Sequence, residues 1–280
     1  MEEARPSRTA LRVAMRRAAH QLYDSPLVFT DPVAVPILGQ EYVEDLQRDA
    51  PGRHQPFALG MRAFIVARSR YAEDNLRRAV EAGVRQYVLL GAGLDTFAHR
   101  NPWPDLHVFE VDHPATQQWK RGLIARNQIA VPANLTYVAV DFERQSLADR
   151  LAESGFNENE PAFFTWLGVV PYLTLPAFRG TVDYIASQAP GSGVALDYGM
   201  PRDAVPPMER MVLDALAARV KMAGEPFQLF FTPDRIAAEF VAFRDLEDLG
   251  TLEVNVRYFQ GRRDNLKWLG SAARLFSAWL

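Results

Sequence analysis

The chain has 280 residues, 48% of them hydrophobic, and a net charge of −3. That is enough apolar material for a sizeable core, and the near balance of charge excludes the broad basic footprint of a nucleic-acid binder. Cysteine is absent, which excludes disulfides, thiolate metal sites and a cysteine nucleophile.

No apolar run approaches the length of a membrane span. The N-terminus, MEEARPSRTALRVAMRR, lacks the apolar stretch of a signal peptide. The expectation is a soluble, cytoplasmic protein with neither membrane nor metal partner. Lysine occurs only at Lys120, Lys221 and Lys267, so arginine carries the positive charge.

Residues 7–21 place Leu11, Ala14, Met15, Ala18 and Ala19 at helical spacing, with arginines on the other face and Ser7 or Thr9 as cap. Residues 24–39 contain three X-Pro steps and read as extended or turning, with at most a short helix after Pro32. Residues 40–56 are polar and mixed and carry no clear period. Residues 57–82 read as a long helix burying Phe64, Ala67 and Tyr71, with Leu76 and Val80 continuing the stripe, and Gly83 ends it.

From Gln86 the pattern becomes an alternation of short apolar runs and helices. Strands are expected over 87–90, 107–112, 135–140, 162–169 and 193–198. Helices are expected over 114–128, 146–154 and 175–188. Residues 200–225 break the alternation, with prolines leading into a helix over 208–222. A further helix is expected over 232–243. Residues 243–249 and 274–279 supply the last two strands, the final stretch reading equally well as a helix.

The fold class expected is α/β: a doubly wound, mostly parallel, seven-stranded sheet. Residues 1–85 would form a helical cap, 86–199 and 243–280 the core, and 200–242 a lid insertion, all in one domain.

In such sheets ligands bind beyond the carboxyl ends of the strands. The first strand ends at Gly91-Ala92-Gly93, followed by Asp95 and Thr96; a lone G-x-G is a weak nucleotide signal by itself. The second strand carries Glu110 and ends at Asp112, 19 residues after Gly93 and so near the offset at which a carboxylate meets a ribose. Two vicinal hydroxyls match the two oxygens of a carboxylate. The third strand ends at Asp141-Phe142, an acid and an aromatic suited to a purine. Each of these acids has an ordinary alternative as a solvated or helix-capping group.

Thr96 stands where G-x-G-x-x-G has its third glycine, which counts against NAD or FAD. An acid-rich pocket without a phosphate cradle suits S-adenosylmethionine, whose carboxylate would want an arginine.

GAGLDTFAHR, FEVDHP, VDFE and WLGVVPYLT resemble successive motifs of the leucine carboxyl methyltransferase family, whose bacterial branch includes polyketide O-methyltransferases. MRRAAHQLYDSPLVFTDPVAVPILG and ARSRYAEDNL resemble its front segment. The resemblance runs from about residue 10 to about residue 198.

It implies that Arg68, or Arg70 in the alternative register, binds the methionyl carboxylate. It implies further that Gly91 and Gly93 hold the cofactor, that Asp112 takes the ribose, and that Asp141 and Phe142 flank the adenine. Leu167 stands where the family often has a glutamate, so that contact is missing, whereas Tyr172 keeps the family's tyrosine.

Methyl transfer needs alignment and exclusion of water. A carboxylate acceptor needs no base, whereas a phenol would. His99, His113 and Tyr172 are the only nearby base candidates, and the expectation is a carboxylate acceptor with no dedicated base. Arg262, Arg263 and Arg8 are candidate guides for it, Arg262 and Tyr172 being the catalytic choices. The rival readings are a nucleotide-cofactor oxidoreductase and a non-catalytic S-adenosylmethionine-binding protein.

Overall fold

The computed structural model describes residues 8–48, 52, 55–141, 145–222 and 224–280, with the Arg8 side chain left out. Before the sheet come α1 (Arg8–Tyr23), α2 (Gln40–Arg48) and α3 (Pro56–Glu81). Then follow β1 (Gln86–Leu90), β2 (His107–Asp112), α4 (Pro114–Arg126), β3 (Leu135–Ala139), α5 (Leu147–Glu153), β4 (Ala162–Trp166), α6 (Leu175–Ala186) and β5 (Gly193–Gly199). The chain closes with α7 (Pro207–Met222), α8 (Pro233–Glu239), β6 (Asp245–Leu249), α9 (Thr251–Tyr258) and β7 (Ala273–Trp279).

Among the described residues the strands form one seven-stranded sheet, in the order β3-β2-β1-β4-β5-β7-β6. Pairing is parallel except along β7, which runs antiparallel to both neighbours. The order reverses between β1 and β4. That is the switch point where a crevice opens beyond the strand ends.

Both faces of the sheet's centre are covered, which explains why β1, β4 and β5 are buried and largely apolar, whereas the edge strand β6 is acidic and partly exposed. Side chains alternate across the plane. Tyr87 and Leu89 of β1 join Tyr71 and Leu76 of α3 on one face. Val88 and Leu90 join Phe109, Phe164 and Phe178 on the other. A third cluster packs Ala14 and Ala18 of α1 against Leu94, Leu123 and Ile124, fastening the N-terminal segment to the loop after β1.

Two elements depart from the sequence reading. Residues 40–48 are helical although their polar composition gave no period. Residues 251–258 form α9, where no element was expected. Of the two forms open to the final stretch, residues 273–279 take the strand, because they fill the gap between β5 and β6 with Leu275–Trp279 buried. Within 200–242, α8 buries Ile236 in the second core cluster, beside Phe240 just past its end, and so belongs to the sheet's covering layer.

α1 departs in its polar face. Arg17 is buried, and Thr9 is no cap, since its hydroxyl meets the Glu225 carboxylate.

Candidate active site

β1 delivers the chain into a turn that only glycine fits. Gly91 has φ +68°, and a Cβ there would lie 2.4 Å from Val169 Cγ2. The Gly91 and Ala92 amides both donate to the Val111 carbonyl, at 2.9 and 3.0 Å. Gly93 has φ +52°, and its amide donates to the Asp112 carboxylate. The other Asp112 oxygen accepts from the His113 amide at 2.6 Å. Burial pushes the Asp112 carboxyl up, and these two amides oppose the shift.

Arg68 reaches the same crevice from α3. It is buried and pairs with Asp197 of β5 at 3.2 Å, while Asp197 also accepts from the Gly168 amide at 2.6 Å. Gly168 has φ +70° and leaves no room for a side chain: a Cβ would sit 2.9 Å from the Arg68 guanidinium.

These residues wall a cavity of about 580 Å³, which Gly91, Ala92, Gly93, Asp95, Asp112 and Arg68 all line. A second cavity of about 550 Å³ opens beside it beyond β5, walled by α1, α3 and α7. Its surface is mostly apolar, with Phe64, Leu213, Leu216 and Phe230 among its residues. Thr9, Val13, Arg68, Gly168 and Tyr172 line both, so the two cavities meet there. Tyr172 stands on a 3-10 turn with its ring 5.2 Å from that of Phe227, and burial pushes its phenol up. A smaller recess of about 300 Å³, bounded by Gly91, Leu147, Trp166 and Val169, adjoins the loop from the other side.

Several expected residues stand elsewhere. Glu110 does not line either large cavity. It lies inside β2, 1% exposed, with Lys120 Nζ of α4 at 2.6 Å. Asp141 also lies off the cavity walls, its main chain bound to Gln145. Phe142 lies outside the described residues. Asp95 is at the wall but is already engaged, by Arg17 at 2.9 Å and by the Phe97 amide at 2.7 Å. Burial raises its carboxyl, and Arg17 and Arg100 more than reverse that.

Arg262 is no part of either cavity. It pairs with Asp264 and donates to the Pro26 carbonyl, and Arg263 is exposed. His99 bonds the Ala130 carbonyl off the cavity, and His113 caps α4 through its ring while touching the first cavity. Leu167 lines that cavity and packs on the core.

Sequence reasoning missed the network behind the loop. Arg17 of α1 reaches Asp31 and Thr96 as well as Asp95. The Thr96 hydroxyl donates to Asp31 at 2.7 Å, so the residue in the third-glycine position anchors the N-terminal segment under the loop. Glu73 holds Arg100 on the same network. The only signal available was the Asp31-Pro32 step, which reads as a plain turn.

A doubly wound sheet in the order β3-β2-β1-β4-β5-β7-β6 with an antiparallel β7, a glycine loop after β1 and an acid ending β2 has the form of an α/β methyltransferase fold. The likeness to solved structures agrees. The structure of a Thermobifida fusca protein named as a candidate methyltransferase aligns with TM-score 0.61 and 18% identity, covering 99% of this chain and 96% of that one. A protein from Streptomyces avermitilis aligns with TM-score 0.54 and 19% identity, over 96% of both chains.

The model of the leucine carboxyl methyltransferase family matches residues 10–186. The Bacillus subtilis protein YktD, named as a candidate S-adenosyl-L-methionine-dependent methyltransferase, is 33% identical over 95% of both chains. A Parafrankia protein named in the same way is 36% identical over 68% of this chain and 62% of its own length. The chain belongs to the leucine carboxyl methyltransferase family.

Proposed function

We propose that this S-adenosylmethionine-dependent methyltransferase methylates an oxygen, a carboxylate or an acidic phenol, of a small molecule held in the second cavity. The observation that carries this reading is the junction at Arg68 and Tyr172 between the more polar of the two cavities, at the glycine loop, and a mostly apolar one. A donor and an acceptor bound in the two would meet there.

The first cavity fits the cofactor. Its glycine turn brings main chain to the cavity wall, Asp112 presents carboxylate oxygens for ribose hydroxyls, and Arg68 offers a guanidinium for the methionyl carboxylate. Gly91 and Val169 open onto the smaller recess, which suits a flat base between Leu147 and Trp166. Asp95 braces the loop through Arg17. When bound, the sulfonium supplies an activated methyl group.

The protein's part is then to align and to exclude water. No histidine lines the second cavity among the described residues, and Asp197 is held by Arg68 and the Gly168 amide. Tyr172, its phenol raised by burial, remains protonated at neutral pH and is no base. That arrangement suits an acceptor oxygen that arrives ionised.

α7 buries only Val220, while Leu213 and Leu216 line the second cavity, which supports its reading as a lid. A panel of small carboxylic acids and acidic phenols, assayed for methyl release from labelled cofactor between pH 6 and 9, tests the proposal. A carboxylate acceptor gives a rate nearly independent of pH. Cofactor binding without product from any member would favour a non-catalytic binding protein.

A further inference from the structure

The second cavity is apolar, yet one end of it carries a concentration of positive charge. Arg12 and Arg16 lie one turn apart on α1, on the same face, and both line it. Arg219, near the end of α7, lines it from the opposite side. Arg16 is half-buried, and among the described residues its side chain donates to the Arg12 carbonyl alone, at 3.2 Å. No carboxylate of a described residue stands within ion-pair distance of any of the three.

The acids on this wall are Asp197 and Glu209. Asp197 is occupied by Arg68. Glu209 lies ten residues before Arg219 on α7, roughly 15 Å along the helix, and its carboxylate holds the Ser271 amide and hydroxyl. Arg16 also feels its neighbours: burial first, then Arg12, Arg219, Arg68 and Arg62, push its guanidinium down to about 10.

Half-burying a cation among cations costs free energy, and an anion placed between them would relieve it. Arg12, Arg16 and Arg219 line the second cavity but not the first, whereas Thr9, Val13, Arg68, Gly168 and Tyr172 line both. The group these arginines attract therefore belongs to the acceptor and not to the cofactor. The chemistry of transfer separates it from the methyl-accepting oxygen. Arginines clamped on the reacting oxygen would hold its negative charge in the ground state and lose that interaction as it becomes neutral. On a spectator anion the interaction is the same before and during transfer, and strengthens binding without slowing the reaction.

We propose that Arg12, Arg16 and Arg219 form an anion subsite of the acceptor cavity. The acceptor class is then an apolar, extended or polycyclic molecule with a permanent anionic group separate from the oxygen that is methylated. This rests on the reading of the second cavity as the acceptor site.

The test uses two probes with the same aromatic body. 8-Anilinonaphthalene-1-sulfonate carries a sulfonate, and N-phenyl-1-naphthylamine lacks it. Binding of each to the full chain is read by fluorescence, with S-adenosylhomocysteine saturating. The sulfonate is expected to bind at least tenfold more tightly than the neutral probe. R16Q is expected to remove about tenfold from the sulfonate's affinity and to leave the neutral probe unchanged. R219Q, at an exposed position, tests the same subsite where a folding defect is no concern, and should shift the sulfonate alone.

Equal affinity of the two probes, or variants that move both or neither, would overturn the subsite. Calorimetry with the cofactor separates the two levels: a protein that fails to bind it sinks the methyltransferase reading, whatever the probes do.

Discussion

Gly91→Ala is the sharpest test of how the glycine loop is built. Alanine at φ +68° costs about 1–2 kcal/mol, because its Cβ crowds the following carbonyl. The same Cβ would lie 2.4 Å from Val169 Cγ2, an overlap that must be relieved by moving one segment, at about 1–3 kcal/mol. The substitution is therefore expected to cost about 2–5 kcal/mol in all. At about 2–4 °C per kcal/mol it lowers the melting temperature by several degrees.

Val169→Ala removes the methyl that collides and leaves the dihedral strain. In the double variant the overlap disappears, so a coupling of about 1–3 kcal/mol is expected between the two sites. Urea unfolding of the wild type, both single variants and the double variant measures it. Cofactor calorimetry on the same four proteins should follow the same pattern, since the loop must return to place for binding. Strictly additive effects, with no rescue by Val169→Ala, would refute the claim that these residues define the loop's position.

Asp112→Ala should weaken cofactor binding by tenfold or more in calorimetry, and full-strength binding would remove Asp112 from the site. Tyr172→Phe should leave kcat within about threefold, and a hundredfold loss with a changed pH profile would make Tyr172 a catalytic base after all. Lys120→Met should cost about 3–5 kcal/mol by stranding Glu110 in the core, and Glu110→Leu in the same protein should return much of it; denaturant melts of the two decide.

Asp31 is held below the ordinary aspartate value, because Arg17, Arg100 and Thr96 outweigh its burial. Between the folded and unfolded values the unfolded chain binds more protons. Its contribution is thus complete above about pH 4 and is lost as pH falls through the folded value. Urea midpoints from pH 7 to 3 should fall less steeply in Asp31→Asn, which starts lower at neutral pH.

The residues themselves determined the sheet and the glycine loop at its carboxyl edge. Each of β1 to β5 is an apolar run, because strands buried on both faces need one, and β1 and β5 stop at glycine. That Asp112 would meet the glycine loop was legible because its distance from Gly93 matches one crossover of the fold. Other assignments turned on packing.

Glu110 and Asp112 point to the same side of β2, two residues apart. Only depth separates them: Glu110 is covered by Lys120 of α4, and Asp112 clears the strand end. The sequence RLFSAWL suits a strand or a helix, and the open edge between β5 and β6 chose the strand. The arginines of α1 looked like a solvated face. Distant residues decided otherwise, Asp31, Asp95 and Thr96 drawing Arg17 inward while α7 closes a cavity over Arg12 and Arg16.

The glycine loop is a local property, fixed by the steric needs of a few adjacent residues. A charge's role is a property of its neighbours, and those come from segments far apart in the chain that only the fold brings together.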